Sequence, residues 1–319
     1  MSATIEELPS KPAPSAGTFV LRPSVREALW GFVFIGPWLI GLVLFTAGPM
    51  IASLVMSLTN FDLLHPDQTR FIGLENYQRM ASDPTIAQSL EATLKFAAIT
   101  IPLTMIASLG FALLLNHPKL AFKGPLRALV YMPVMIPLVA STLVWIGFLN
   151  TNTGWLNAIL GAVGLPQPDW INSETWIYPA LSIIGLWAIG NFMIINIAGL
   201  QSVPSELYEA ARIDGAGAWK SFRNITIPLM SPVLLYNLVI VMIGTFQYFT
   251  QAYTLTNGQG DPDNATLFIN LVLYREGFVF NHMGYAAAIA WLLFAIVLAL
   301  TLALFWFART RVYYAGGER

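Results

Sequence analysis

The sequence predicts an all-α integral membrane fold, and three observations carry that prediction. Of 319 residues, 56% are hydrophobic and only 10% charged, a balance that suits lipid better than water. The apolar residues gather into six stretches that reach or approach the roughly 20 residues a helix needs to cross a bilayer core. The basic residues, finally, collect in alternate loops. Together these describe six core transmembrane helices, with no internal repeat, low-complexity run or second soluble domain.

Taken in order, residues 1–28 form a polar tail containing Pro9, Pro12, Pro14 and Pro23, expected to be disordered. The apolar run that follows is too long for a signal-peptide core and is expected to be a retained span. Spans are expected at about 29–57, 90–115, 126–149, 175–199, 229–254 and 285–308, a transmembrane domain over 29–310 followed by a short tail at 311–319. Twelve of the sixteen basic residues fall in the N-terminal tail (Lys11, Arg22, Arg26), the second loop (Lys119, Lys123, Arg127), the fourth loop (Arg212, Lys220, Arg223) and the C-terminus (Arg309, Arg311, Arg319). Because short cytoplasmic loops are enriched in Lys and Arg, both termini and the fourth loop are expected in the cytoplasm. The opposite loops, about 58–89, 150–174 and 255–284, lean acidic or neutral, and Trp155, Trp170 and Trp176 suit an interfacial belt.

The fourth loop is the conspicuous polar segment, Ser202 to Pro232. Ser202 or Ser205 is expected to cap a short helix, Pro204 suits its first turn, and Glu206 and Glu209 sit near the positive end of its dipole. Gly215 and Gly217 end it. A second short helix is expected from Ala218 to about Ile225, with Lys220 and Arg223 near its end, and Pro228 begins the next apolar run.

Composition also excludes functions. A net charge of −1 gives no electrostatic case for nucleic acid, and a chain without cysteine has no disulfide, thiolate metal site or cysteine nucleophile. His65, His117 and His282 fall on different loops, so no shared metal site is expected. Gly215 to Ser221 resembles a phosphate loop only superficially: Trp219 stands before Lys220 and no strand precedes it. No catalytic residues are assigned, and uphill transport by this chain would need ATP hydrolysis elsewhere or an ion gradient.

Glu209-Ala210-Ala211, Asp214-Gly215-Ala216 and then Ile225, Ile227 and Pro228 closely resemble the EAA loop of ABC-importer permeases, with Ile227 where the usual pattern has Leu. Phe71-Ile72-Gly73-Leu74-Glu75-Asn76-Tyr77, Leu255-Thr256-Asn257-Gly258-Gln259-Gly260 and Gly284-Tyr285-Ala286-Ala287-Ala288-Ile289-Ala290 resemble its carbohydrate-uptake branch, the maltose and glycerol-phosphate type permeases. The likeness covers about residues 28–310. It implies the ABC-importer permease fold, a second homologous permease subunit, two ATPase subunits that bind ATP and Mg, and an extracytoplasmic solute-binding protein in the bacterial cytoplasmic membrane. No cofactor is expected on this chain. Coupling to the ATPase is implied for Glu209, Ala210, Ala211, Arg212, Asp214 and Gly215, the coupling helix being cytoplasmic. Capping or solvation is the competing reading for Glu209, and a local turn or a pair with Arg212 for Asp214.

A cargo path calls for polar and aromatic groups within spans. Trp187, Asn191 and Ile194 fall on one stripe of span four; Asn237, Val241, Thr245 and Tyr248 fall on one of span five, with Gln247 and Gln251 beside them. The midplane sugar site of maltose-type permeases draws on these two spans. By that resemblance Thr245 and Gln247 are the leading candidates, then Trp187, Tyr248 and Asn191; the alternative is that such groups only join helices. With no charge central in the spans, the expected cargo is a neutral di- or oligosaccharide. The alternatives are a polyol phosphate such as glycerol 3-phosphate, and an ion-coupled secondary transporter, which would be expected to carry an intramembrane charge relay.

Overall fold

The structure, a computed structural model, describes residues 25–312. Most of the tail expected over 1–28, and residues 313–319, lie outside the described residues. Two compact units divide at Ala52. In the first, α1 (Val25–Leu42) passes through a π-turn (Val43–Ala47) into the start of α2 (Gly48–Ser57), whose last residues belong to the second unit. Helix therefore begins at Val25, within the range assigned to the tail. Large apolar side chains such as Trp30, Phe34 and Phe45 are exposed, and a helix hydrophobic on all sides is one that lipid solvates.

The second unit is organised around α4 (Pro84–Asn116), preceded by the short α3 (Glu75–Ser82). Asp83 starts α4 by accepting the Thr85 amide at 2.9 Å, with Pro84 in the first turn. Thirty-three residues make a rod about 50 Å long. Its buried face is a stripe of small residues, including Ser89, Thr93, Ala97, Thr100, Thr104 and Ser108, which lets neighbouring helices approach and leaves hydroxyls to join them. The Thr93 hydroxyl accepts the Ile269 amide at 3.1 Å, Thr100 and Ser182 hydroxyls meet at 2.6 Å, and Ser108 accepts from Asn196 Nδ2 at 3.1 Å.

The remaining elements follow as α5 (Lys123–Tyr131), α6 (Leu138–Phe148), α7 (Trp155–Ala162), α8 (Ile177–Trp187), α9 (Gly190–Gln201), α10 (Ser205–Ile213), α11 (Ala218–Ser221), α12 (Ile227–Phe246), α13 (Thr250–Thr256), α14 (Ile269–Tyr274) and α15 (Met283–Ala308). Helices α8, α9, α12 and α14 pack on α4, while α15 packs on α3, α12 and α14. Among the described residues there is no strand, only a lone bridge between Thr59 and Phe71. Four helices are long and apolar enough to cross a membrane, and two sharply bent pairs bring the number of possible spans to six.

Those bent pairs correct the straight spans expected at 126–149 and 175–199. The first turns by 101° between Met135 and Leu138. Ile136 is extended there (φ −81°, ψ 131°) because it precedes Pro137, and a residue before proline is pushed out of the helical region. The second bends by 59° between Trp187 and Gly190.

A third correction concerns the helix expected at 218–225. It is no separate element: α11 runs through a π-turn (Phe222–Thr226) into α12, giving continuous helix from Ala218. Pro228 has no N–H to give to the ladder. Just before it, the Ile227 amide reaches back five residues to the Phe222 carbonyl, the wider ring of a π-turn.

Candidate coupling loop and cargo path

The helix carrying Glu209, α10, is built differently at its two ends. Pro204 occupies the N-cap position without a side-chain cap, and Ser202 instead donates its hydroxyl to the Gly199 carbonyl at 2.8 Å, closing α9. The cap expected from Ser202 or Ser205 is therefore not made: neither side chain caps α10. The other end is closed by Gly215 in the left-handed region (φ +74°). Gly215 N–H donates to the Arg212 carbonyl at 3.1 Å and Ala216 N–H to the Ala211 carbonyl at 2.8 Å, the paired bonds of a Schellman ending that glycine makes without strain.

The exposed face of α10 holds Glu206, Glu209, Ala210 and Ile213 at i, i+3, i+4 and i+7. Ile213 is 88% exposed and Leu207 is also exposed. Sequence reading passed over both; the signal was their apolar character within an otherwise polar loop. Arg212, Asp214 and Gly215 are exposed and Ala211 half-buried. Arg212 and Asp214 form no ion pair among the described residues. The inner face is held to the following helix by one side-chain bond, the Tyr208 and Thr226 hydroxyls meeting at 2.9 Å.

The five cargo-path candidates all flank interruptions in helices. Trp187 ends α8 and Asn191 lies in the first turn of α9, on either side of the 59° bend. Thr245, Gln247 and Tyr248 surround the end of α12, where Phe249 leaves the helical region (φ −144°) before α13. Non-helical backbone at membrane depth is tolerated where it lines a cavity or is covered by protein.

Burial separates the five. Asn191 and Gln247 are exposed and Trp187 is half-buried, edge-on to Trp145 at 5.3 Å. Thr245 is buried with its hydroxyl given to the Val241 carbonyl at 2.7 Å. Tyr248 stacks obliquely on Phe96 at 4.6 Å and edge-on to Phe268 at 5.7 Å. Among the described residues its hydroxyl is buried without a partner, as is Nε1 of Trp145, a residue the sequence gave no reason to single out. Asn237, on the same stripe, is fully buried and donates to Asn196 Oδ1 at 2.9 Å, extending the Asn196–Ser108 bond into a chain across α4, α9 and α12.

At the end of α4 away from α10, two of the motif segments meet. Asn76 Nδ2 donates to the Ser57 and Thr59 carbonyls, both at 2.8 Å, and Tyr77 and Ser57 hydroxyls meet at 2.8 Å. Gly284 donates its amide to the Phe61 carbonyl at 2.9 Å. A Cβ at Gly284 would stand 2.2 Å from the Thr59 carbonyl oxygen, so only glycine fits this approach. Beside it, Tyr285 donates to Asp83 at 2.8 Å, the Arg79 guanidinium lies 3.9 Å from the Tyr285 ring, and Glu276 meets Arg79 at 3.6 Å and His282 at 2.9 Å. Burial pushes the Asp83 carboxyl upward, but the bonds from Tyr285 and Thr85 and the Arg79 charge outweigh it and hold the group below its ordinary value. No cluster of His, Asp or Glu able to hold a metal occurs among the described residues.

Comparison with known proteins is consistent across the chain. Residues 100–311 match the family described as binding-protein-dependent transport system inner membrane component. The probable ABC transporter permease protein YesP of Bacillus subtilis is 37% identical over 298 residues, covering 92% of this chain and 94% of the relative. The trehalose/maltose transport system permease protein MalF of Thermococcus litoralis is 34% identical over 278 residues, covering 87% and 92%. In fold, the chain is similar to one in the crystal structure of a bacterial alginate ABC transporter in complex with an alginate pentasaccharide-bound periplasmic protein, with TM-score 0.77 at 21% identity, covering 90% of this chain and 96% of that one. The chain thus belongs to the family of binding-protein-dependent transport system inner membrane components and is a carbohydrate-type ABC importer permease.

Proposed function

We propose that this permease moves a neutral di- or oligosaccharide across the bacterial cytoplasmic membrane along a path closed by a second, homologous permease. An extracytoplasmic binding protein delivers the cargo. Two ABC ATPase subunits, which hold the ATP and Mg, drive the cycle by gripping α10. The termini and the 202–232 loop lie in the cytoplasm on this reading, which rests on the distribution of Lys and Arg. The permease domain is read as 29–310, between tails at 1–28 and 311–319, with its first helix already under way at Val25.

The observation that carries the coupling role is the exposed α10 face of Glu206, Glu209, Ala210 and Ile213, a polar and apolar patch on a helix with few attachments to its own chain. Glu209 offers a charge to the ATPase, Ala210 and Ala211 allow close backbone approach, Arg212 borders the helix on its other side, and Asp214 with Gly215 sets the turn. For cargo, Gln247 and Asn191 offer exposed amides and Trp187 an aromatic face, the groups that bind sugar hydroxyls and rings. Thr245 and Tyr248 stand behind them, with the Tyr248 hydroxyl in reserve.

The test is reconstitution of the purified chain with its second permease, ATPase and binding protein, and measurement of ATP hydrolysis across neutral oligosaccharides and polyol phosphates. Stimulation by one neutral sugar is the expected result. Stimulation by glycerol 3-phosphate alone overturns the cargo assignment, and cargo-driven uptake without ATP hydrolysis overturns the coupling role.

A further inference from the structure

Between α10 and the adjoining helix ends lies a cleft of about 530 Å³, within the size range of small-molecule sites. Its walls are mainly apolar, from Leu113, Pro118, Leu200 and Phe222. It sits where α4 ends at Asn116 and α9 at Gln201, the level at which apolar helices give way to polar loops and lipid headgroups begin.

Its polar lining is one-sided. The charged lining residue is Arg212, which forms no ion pair among the described residues; Glu206, Glu209 and Asp214 stand outside the lining. Lys119 N–H donates to His117 Nδ1 at 3.3 Å, which leaves Nε2 as the ring's donor. Asn116 Oδ1 accepts from Gln201 at 3.4 Å, which leaves the Asn116 NH₂ free to donate. The Tyr208 and Thr226 hydroxyls are hydrogen-bonded to one another. An apolar cleft at headgroup level, rimmed by a guanidinium, an imidazole N–H and an amide NH₂, complements an acyl chain joined to a phosphate.

We propose that this cleft binds an anionic membrane phospholipid, an acyl chain against Leu113, Leu200 and Phe222 and the phosphate against Arg212, His117 and Asn116. Because Arg212 belongs to α10, a bound lipid acts on the position of the coupling helix from behind, on the side away from the exposed Glu209 face.

The experiment needs no transport assay, so its outcome is separate from that of the function proposed above. The full chain, purified in detergent and stripped of lipid, is titrated with phosphatidylglycerol or with phosphatidylcholine of identical acyl chains, and bound lipid is counted by native mass spectrometry. One phosphatidylglycerol retained per chain, at least tenfold more tightly than phosphatidylcholine, is the expected result. Ala218→Trp, which fills the cleft, and Arg212→Gln, which removes the cation, each abolish that retention. Equal retention of the two lipids, or undiminished retention in both variants, overturns the proposal as unspecific annular lipid. Loss of the lipid when the ATPase subunits are added overturns it in favour of a protein contact. If Ala218→Trp fails to insert, the two-lipid comparison on the unaltered chain decides by itself.

Discussion

The two ends of the α4 bundle are built to opposite specifications. At the end holding α3 and the start of α15, Asn76, Tyr77, Gly284, Tyr285, Asp83, Arg79 and Glu276 form direct bonds and contacts across distant parts of the chain. At the other end, α10 carries Glu206 and Glu209 outward and, among the described residues, is attached through one side-chain hydroxyl pair. On the coupling role proposed above, the first end serves as a clamp and the second as a handle. A protein that transmits force needs both, because displacement of a loosely held element is useful only if the rest of the fold resists it.

The clamp is most severely tested at Gly284. Gly284→Val drives a side chain into the Thr59 carbonyl and the Phe61 amide, backbone groups that cannot turn aside, and the expected cost is at or above the upper end of about 1–3 kcal/mol. Thermal unfolding of a detergent-solubilised fluorescent fusion measures it; a near-normal midpoint would break the comparison.

Between the two ends, Asn196→Leu strips Asn237 of its partner and leaves a buried amide with nothing to donate to. A loss of about 1–3 kcal/mol is expected. The double variant Asn196→Leu with Asn237→Leu should be less damaged than the single one, and additive losses would show that the amide chain is not a unit.

A smaller effect is expected at Tyr285. Tyr285→Phe removes the bond to Asp83 at about 0.5–1.5 kcal/mol. Since the Asp83 carboxyl is held below its ordinary value, its contribution is present above the usual carboxylate range and is lost as pH falls through its folded value. Unfolding midpoints followed from pH 7 down to pH 3 should therefore fall less steeply in Asp83→Asn than in the unaltered chain.

Least damaging to the fold is Glu209→Lys, on the exposed face of the handle. Its stability should shift by no more than about 0.5 kcal/mol, yet cargo-stimulated ATP hydrolysis by the reconstituted complex should be lost. Retained stimulation would show that the handle is gripped elsewhere.

Hydropathy made α4 and α15 legible, and Pro204, Glu209 and Gly215 made α10 legible, because each signal is local. The breaks were harder to see. An average over apolar residues is unchanged when the backbone turns, so spans three and four read as straight; Pro133 and Pro137 marked the first bend, while no proline marks the second. Within the candidate cargo path, the stripe through Asn237 was visible but Asn196 was not, because it lies off the stripe of Trp187 and Asn191. The exposure that separates Gln247 and Asn191 from Thr245 and Tyr248 is set by neighbouring helices, which no spacing within one segment encodes.

The π-turn at Phe222–Thr226 has a consequence for helix phase. It holds one residue more than an α-helical turn would, and each residue advances a helix by about 100°. Everything on its N-terminal side is rotated by that amount relative to a plain ladder running back from α12. Deleting Asn224 would leave the composition, charge and capping of the loop almost untouched while swinging α11 to a different azimuth. In this molecule the aim of the loop is written in a count of residues as much as in their identity.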